Sequence, residues 1–533
     1  MSDNVQIYDT TLRDGCQAEH VNFTVEDKLR VAQALDQLGV DFIEGGWPNE
    51  TNPRDREFFE RARDGQWTHA QLAAFGSTRR ASVHAEEDSQ LQQLLASGAP
   101  VITIFGKSWD LHAREILRCS PEDNLAMIEE SVAFLKSQGR TVFFDGEHYF
   151  DGYKADPAYA LETLRAAQHG GADGLVLCDT NGGTLPFELR ELTAVVAVEF
   201  PGVRLGIHCH NDAGMADANS LAAVLVGARQ VQGTINGYGE RSGNANLCTI
   251  LPNLELKLGL RCLPEGKLAD LTSLSLYVSE LANLPHNSRQ PYVGRSAFAH
   301  KGGMHVNAVM KLPASFEHVP PESVGNERRV LVSDQSGRST ILHKLQNLYP
   351  DLQRDDPLIQ RVLEVVKERE NRGYEYEAAE ASLALLAMRL RGELPELFRL
   401  HGFRVMVEKH NEDDVPYAEA TIKIRVNGDQ FHTAAEGNGP VNALDAALRK
   451  ALRPKYPELD LLTLTDYKVR VLEATHGTGT AVRALIQTTD GEETWGTVGV
   501  HENIIQASWE ALVDSIIYGL NKHLSKREEV RPD

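Results

Sequence analysis

The chain is 533 residues long, 42% hydrophobic, and carries a formal net charge of −22. That length asks for two to four folded units, each with a well-packed core. The acidic excess argues against nucleic acid or an anionic membrane as a partner, so an anionic ligand must be met by local cations.

The six cysteines (Cys16, Cys119, Cys178, Cys209, Cys248, Cys262) are scattered with no C-x-x-C pair. Such spacing suits reduced thiols in the cytoplasm better than a disulfide framework or a structural zinc site. The opening MSDNVQIYDTTLRDG has no basic segment leading into an apolar one, so no signal peptide is expected. No apolar run reaches the roughly 20 residues that span a bilayer.

Eight apolar, β-branched runs follow in chain order, at 5–11, 41–46, 72–77, 101–106, 141–147, 174–180, 204–210 and 230–236. Amphipathic stretches separate them, as in VEDKLRVAQALDQLG (25–39) and PEDNLAMIEESVAFLKSQG (121–139). Eight strand-then-helix units predict an α/β fold, a (β/α)8 TIM barrel over residues 1–262. An open doubly wound sheet is disfavoured because no G-x-G-x-x-G follows the first strand. From 263 to 395 the pattern is helical and irregular: HKGGMH (300–305) reads as a loop, SGRSTILHKLQNLYP and DPLIQRVLEVVKERENRG as helices. Residues 396–526 read as a duplicated α+β module. FRVMVEKH, EATIKIRVNG and QFHTAAEG precede the helix GPVNALDAALRKAL; DYKVRVLEA, AVRALIQTTDG and ETWGTVGVHE precede NIIQASWEALVDSIIYGL. Two βββα units suit a regulatory or dimerising domain, and 527–533 is expected to be a frayed charged tail.

A barrel demands chemistry at the C-terminal ends of its strands. There the sequence places Arg13 and Asp14, Glu44, Glu147, Thr180, the pair His208 and His210, and then NGYGERSGNAN (236–246). Phe105, Asp145 and Tyr149 are also near strand ends. Side chains at i and i+2 of a strand share a face, so His208 and His210 aim two imidazoles at one point while Cys209 faces away. Two core histidines would give the same pattern. With Asp14 and Asn244 the pair makes a mixed N/O ligand set for an exchangeable Mg²⁺, Mn²⁺ or Zn²⁺. Such an ion would chelate a 2-oxo acid and polarise its carbonyl, and Arg13 would stabilise the alkoxide that forms on attack. The alternative for Arg13 is a rim salt bridge to Glu44 or Glu147.

The motifs DTTLRDG, IEGGWP, CDTNG, HCHND, NGYGERSGN and AFAHKGGMH, with the duplicated C-terminal module, resemble the Claisen-condensing DRE-TIM metallolyases. That family holds isopropylmalate, homocitrate and citramalate synthases. DFIEGGWP, FFDGEHYFDGYK, VGNERRVLVSDQSGRS and AAEGNGPVNALDAALRKAL are most similar to its long citramalate synthases. The resemblance implies condensation of acetyl-CoA with pyruvate to (R)-citramalate, an entry to isoleucine. Other 2-oxo acids, as in isopropylmalate or homocitrate formation, and a retro-aldol lyase on the same barrel are the alternatives. It gives Asp14, His208 and His210 the metal, with Asn244 a further oxygen ligand. Arg13 becomes the carbonyl-polarising residue, Glu147 the acidic partner in catalysis, and Thr180 a contact of the 2-oxo acid carboxylate. His305, with His300 as rival, is delivered from the linker region of a neighbouring subunit. Two positions depart from the pattern. Cys16 stands where many relatives have Glu, and Phe316 stands where they often have Tyr, so a phenolic acid is missing there. The resemblance also implies a homodimer and an end-product effector, isoleucine or leucine, in the C-terminal module. Glu436–Pro440, before a helix N-terminus, is a candidate anion contact or a plain β-to-α turn.

Overall fold

The structure is a computed structural model that describes residues 4–63, 65–333, 336–413, 415–472 and 480–529. Eight parallel strands close into a barrel in sequence order: β1 (Gln6–Asp9), β2 (Phe42–Gly46), β3 (Gln71–Ser77), β4 (Val101–Lys107), β5 (Thr141–Glu147), β6 (Gly174–Asp179), β7 (Arg204–Cys209) and β8 (Gln230–Gly233). β8 returns to pair with β1 from Gln6↔Gln230 to Asp9↔Gly233. Parallel strands covered on both faces read as unbroken apolar runs, and β2 and β6 are buried at every position. The intervening helices begin on side-chain caps. Thr24 with Asp27 forms a capping box before Val25–Leu38, and Ser120 with Asp123 forms one before Pro121–Ser137. Each satisfies backbone N–H groups that the first turn leaves free.

The barrel interior is layered by the two-residue period of its strands. Tyr8, Phe42, Ala73, Val101 and Phe143 form an apolar floor, with the Phe42 and Phe143 rings edge-to-face at 5.1 Å. Two residues further along the same strands the layer turns polar. The Tyr8 hydroxyl donates to Glu44 Oε1 at 2.9 Å and lies 2.7 Å from the Thr103 hydroxyl; Gln232 Nε2 donates to Asp145 Oδ1 at 3.2 Å. Beyond that layer lies the open end.

The chain divides into two compact units, Met1–Phe298 with Glu317–Arg328, and Ala299–Phe316 with Arg329–Asp533. The division falls later than the expected boundary at 262. Leu268, Leu271, Leu274, Val278, Val293 and Phe298 belong to the barrel's own hydrophobic core, so burial binds them to the first unit.

The second unit starts with a short parallel pair, β9 (Ala299–His300) and β10 (Arg329–Val330). HKGGMH is therefore not a loop: His300 ends a strand and Gly303 opens the helix Gly303–Lys311. Helices Arg338–Leu345, Pro357–Asn371 and Glu380–Arg391 share a core around Ile341, Ile359, Val362 and Leu386. Two antiparallel sheets follow, β11 (Arg399–Glu408), β12 (Tyr417–Val426), β13 (Asp429–Gly437) and β14 (Thr463–Val471), β15 (Val482–Thr489), β16 (Thr494–His501). Helix Pro440–Leu452 follows the first sheet and Ile504–Glu529 the second. One core joins them through Ile422, Leu444, Leu448, Ile486, Trp495 and Leu512. The last helix runs to Glu529, into the stretch expected to fray, because no proline interrupts the chain between Ile504 and Pro532. The end of the expected strand at Glu473 and Ala474 and the tail residues 530–533 lie outside the described residues. Among the described residues, no helix is long and apolar enough to cross a membrane.

Behind β5, the helix Tyr149–Ala155 seats Gly152 directly on the backbone that follows β4. A Cβ there would lie 2.1 Å from the Ser108 carbonyl oxygen. Gly152→Ala is expected to lower stability by about 1–3 kcal/mol, as overpacking does, read as a lower midpoint in chemical denaturation. An unchanged midpoint would show that this contact relaxes freely.

Candidate active site and metal centre

The turn after β1 is built by Asp9. Its buried carboxylate accepts the Thr11 N–H at 2.9 Å and the Thr11 hydroxyl at 2.8 Å. Burial pushes the Asp9 carboxyl up to about 7. The Thr11 hydroxyl in turn accepts the Ile235 N–H at 2.8 Å, tying the turn to the segment after β8. The turn aims Arg13 and Asp14 into the open end of the barrel.

On β7, His208 and His210 point to one side, and Cys209 points to the other, wholly buried in the hydrophobic core. His208 Nε2 is 3.4 Å from Asp14 Oδ2 and 3.4 Å from His210 Nε2, and His210 Nε2 is 3.9 Å from Asp14 Oδ2. Asp14, His208 and His210 thus bring three ligand atoms within 4.8 Å of one another, all buried. His210 makes an isolated antiparallel bridge with Asn244, whose Nδ2 donates to the Tyr238 carbonyl at 3.1 Å. That loop needs glycine at Gly239, where φ is +157° and a Cβ would lie 2.2 Å from Asn244 Nδ2.

The donor set fits a divalent cation. Asp14 Oδ1 and Asn244 Oδ1 are buried without a hydrogen-bond partner, a costly condition that a bound ion and its waters would relieve. His208 Nδ1 lies 2.9 Å from Gln232 Oε1, which fixes a proton on Nδ1 and leaves the Nε2 lone pair free to coordinate. Burial alone would raise the Asp14 carboxyl, but the Arg13 guanidinium and the two imidazoles hold it well below the usual carboxylate range. Burial and the neighbouring His208 push His210 down to about 4. Burial works downward on His208 too, but Asp14 outweighs it and raises that imidazole above 6.5.

Arg13 lies at the rim of this group. Its Nε donates to Glu44 Oε2 at 2.5 Å, its Nη1 to Asp14 Oδ2 at 3.1 Å, and its Cζ sits 3.7 Å above the Phe75 ring. The rim salt bridge to Glu44 is present, and it orients the guanidinium toward the cleft. Arg13, Asp14, Glu147, Thr180, His208 and His210 all line one cleft of about 200 Å³. The Thr180 hydroxyl accepts the His148 N–H at 2.9 Å. Phe105 and Asp145 also line the cleft, with burial pushing Asp145 up to about 7. Tyr149 does not; it is fully buried in the barrel core. His305 and His300 belong to the second unit. His305 is exposed on the helix Gly303–Lys311, its ring centroid 4.5 Å from that of Phe316.

Three features escaped the sequence. Lys107 contacts the Glu147 carboxylate; the only signal was its place at the end of β4, in register with Glu147. Gln232 orients His208, and the register pair His208↔Gln232 on β7 and β8 would have pointed to it. Trp47, Phe75 and Phe105 pack into an aromatic wall with ring centroids 5.5–5.7 Å apart, drawn from three strand ends that are distant in sequence.

Residues 4–278 match the HMGL-like family, 292–373 the homocitrate synthase post-HMGL domain-like family, and 377–520 the LeuA allosteric (dimerisation) domain. An (R)-citramalate synthase of Geobacter sulfurreducens is 54% identical over 518 residues, 97% of this chain and 98% of the relative. One from Aquifex aeolicus is 52% identical over 522 residues, 98% and 99% of the two chains. A probable 2-isopropylmalate synthase of Methanopyrus kandleri is 32% identical over 535 residues, 99% and 100% of the two.

Proposed function

Because the chain belongs to the HMGL-like family, and within it to the (R)-citramalate synthases, we propose that it condenses acetyl-CoA with pyruvate and hydrolyses the thioester. The products are (R)-citramalate and CoA, in the cytoplasm and on the way to isoleucine. The observation that carries this reading is the convergence of Asp14, His208 and His210 in the cleft that Arg13 and Glu147 also line. At about 200 Å³ and walled by three aromatic rings, the cleft has room for a small 2-oxo acid such as pyruvate. Thiol release with pyruvate, 2-oxoisovalerate, glyoxylate and 2-oxoglutarate tests it. Preference for 2-oxoisovalerate would favour isopropylmalate formation instead. A retro-aldol lyase reading gains nothing from the loop after β8: its nearest cysteine, Cys248, is buried, 3.6 Å from Asn236 Oδ1, and outside the cleft.

Asp14, His208, His210 and Asn244 would hold a divalent ion, Mg²⁺, Mn²⁺ or Zn²⁺, which supplies Lewis-acid polarisation of the keto group. Thr180 holds the 2-oxo acid carboxylate. Glu147 takes a methyl proton from the acetyl group, with His305 assigned the second share of the acid–base work. Arg13 donates to the oxygen that gains charge when the keto carbon is attacked. Water then cleaves the thioester.

The duplicated module over residues 396–526 of the second unit is assigned to dimerisation and feedback. Asn438, Gly439, Pro440, Leu464, Tyr467 and Ile504 border a pocket of about 740 Å³ between its two βββα halves. An amino-acid end product, isoleucine before leucine, is the proposed occupant, with Gly439–Pro440 at a helix N-terminus beside it. Val469 and Val471 on β14 are exposed and offer apolar area for a second copy of the chain.

Four outcomes are expected. Neutral imidazoles must coordinate, so His208, held above 6.5 while His210 stays neutral down to about pH 4, would have to release its proton to solvent for an ion to bind. Metal affinity should therefore fall as pH drops through the His208 range, with proton release visible by calorimetry in buffers of different ionisation enthalpy. His210→Ala should lower metal occupancy and Cys209→Ser should not; equal effects would contradict the strand phase. Glu147→Gln should fold, keep the metal and lose about 10²–10⁴-fold in kcat; near wild-type turnover would make it a rim residue. Isoleucine should bind the whole enzyme and shift substrate affinity by about 5- to 150-fold. No heat of binding at millimolar isoleucine or leucine would leave the module to dimerisation alone.

A further inference from the structure

Lys107 ends β4, and Glu147 ends β5 directly opposite in register. The ammonium contacts the Glu147 carboxylate, and the two side chains are only 15% and 23% exposed. A rim ion pair of this kind could serve merely to tie two strands, and such pairs contribute little. Its surroundings say more. Lys107 Nζ lies 5.2 Å from the Phe105 ring centroid, and Phe105 is a wall shared by two cavities. One is the cleft of about 200 Å³ that holds Asp14, His208 and His210, which Glu147 faces. The other, of about 380 Å³, is lined by Lys107, Arg79 and Arg80 together with the apolar side chains of Ile116, Leu117 and Met127.

The proposed condensation joins two substrates of unlike size. A compact 2-oxo acid suits the smaller cleft, and the longer arm of the thioester suits the larger cavity, whose lining is mixed apolar and basic. In this reading the acetyl group lies at the Phe105 wall that both cavities share, beside the Lys107–Glu147 pair. Proton removal there creates an electrostatic problem. Once Glu147 is protonated, the ammonium loses its counter-ion in a site with little water, while a new negative charge arises on the thioester oxygen.

We propose that Lys107 is a further catalytic residue, whose ammonium receives the charge that develops on the thioester oxygen as Glu147 takes the methyl proton. The methyl C–H bond breaks and its proton goes to a Glu147 carboxylate oxygen. The C–H electron pair forms the C=C bond, and the carbonyl π pair moves onto oxygen. Lys107 keeps all three protons and faces one anion before the step and one after it, so no charge is left unpaired. This rests on the condensation reading and on Glu147 as its base.

The test is steady-state kinetics of the full-length, metal-loaded enzyme with acetyl-CoA and trideuteroacetyl-CoA. Lys107→Gln should lower kcat about 10²–10³-fold, as loss of one oxyanion donor does, and leave the KM for pyruvate within about threefold. It should also show a large deuterium isotope effect, because enolisation becomes the slow step. Lys107→Arg, which keeps the charge, should recover at least about tenfold of the loss. Turnover of Lys107→Gln near wild type would overturn the proposal. A loss without an isotope effect and without rescue by arginine would overturn it equally, as the mark of a strand tie. If wild-type enzyme releases no thiol from acetyl-CoA with any 2-oxo acid, the condensation reading falls and takes this proposal with it; wild-type activity with an indifferent Lys107→Gln removes the proposal alone.

Discussion

A carboxylate with no access to water, Glu44, governs the open end of the barrel. Its two oxygens are taken by the Tyr8 hydroxyl and the Arg13 guanidinium. An uncompensated buried charge costs several kcal/mol, and breaking such a pair typically costs about 3–5 kcal/mol, so Arg13 has one position open to it. From there the guanidinium reaches Asp14, lies flat on Phe75, and borders the cleft. Arg13 is thereby both structural and chemical. The rim salt bridge that would compete with a catalytic role is the device that aims it.

The same logic extends one layer outward. Glu44, Thr103, Asp145 and Gln232 occupy the polar tier between the aromatic floor and the open end, reached by the two-residue step of the strands. Gln232 passes orientation from Asp145 to His208 through two hydrogen bonds. That linkage selects the His208 tautomer before any ligand arrives. Asp14, drawn to Arg13 on one side, lies against the two imidazoles on the other. The Nε2 atoms of the two imidazoles and the Asp14 carboxylate then converge where a cation would bind.

The second unit follows a different constraint. Each of its three-stranded sheets needs its apolar face covered, and each carries one long helix on one face. The shared core through Leu444, Leu448, Ile486, Trp495 and Leu512 lets the two halves cover each other. Duplication leaves a pocket at the seam, bordered by Gly439, Pro440, Tyr467 and Ile504, in a module that carries none of the side chains assigned to the condensation.

Local pattern by itself determined the barrel and the repeated βββα units, because buried parallel strands and amphipathic helices write their periods directly into the chain. Strand phase also separated His208 and His210 from Cys209, since alternation is a property of one strand. What depended on neighbours was not legible. HKGGMH read as a loop because its glycines look like breakers, and only pairing of His300 with Val330 shows the strand. The last helix outran its expected end because an unbroken, proline-free segment carries no stop signal. Residues 263–298 were divided from the barrel on pattern, whereas their side chains share its core. The aromatic wall of Trp47, Phe75 and Phe105, the Gln232 support under His208, and the Lys107–Glu147 pair join residues from different strands. Register between strands far apart in sequence is set by closure of the barrel, and that closure alone decided which side chains would meet.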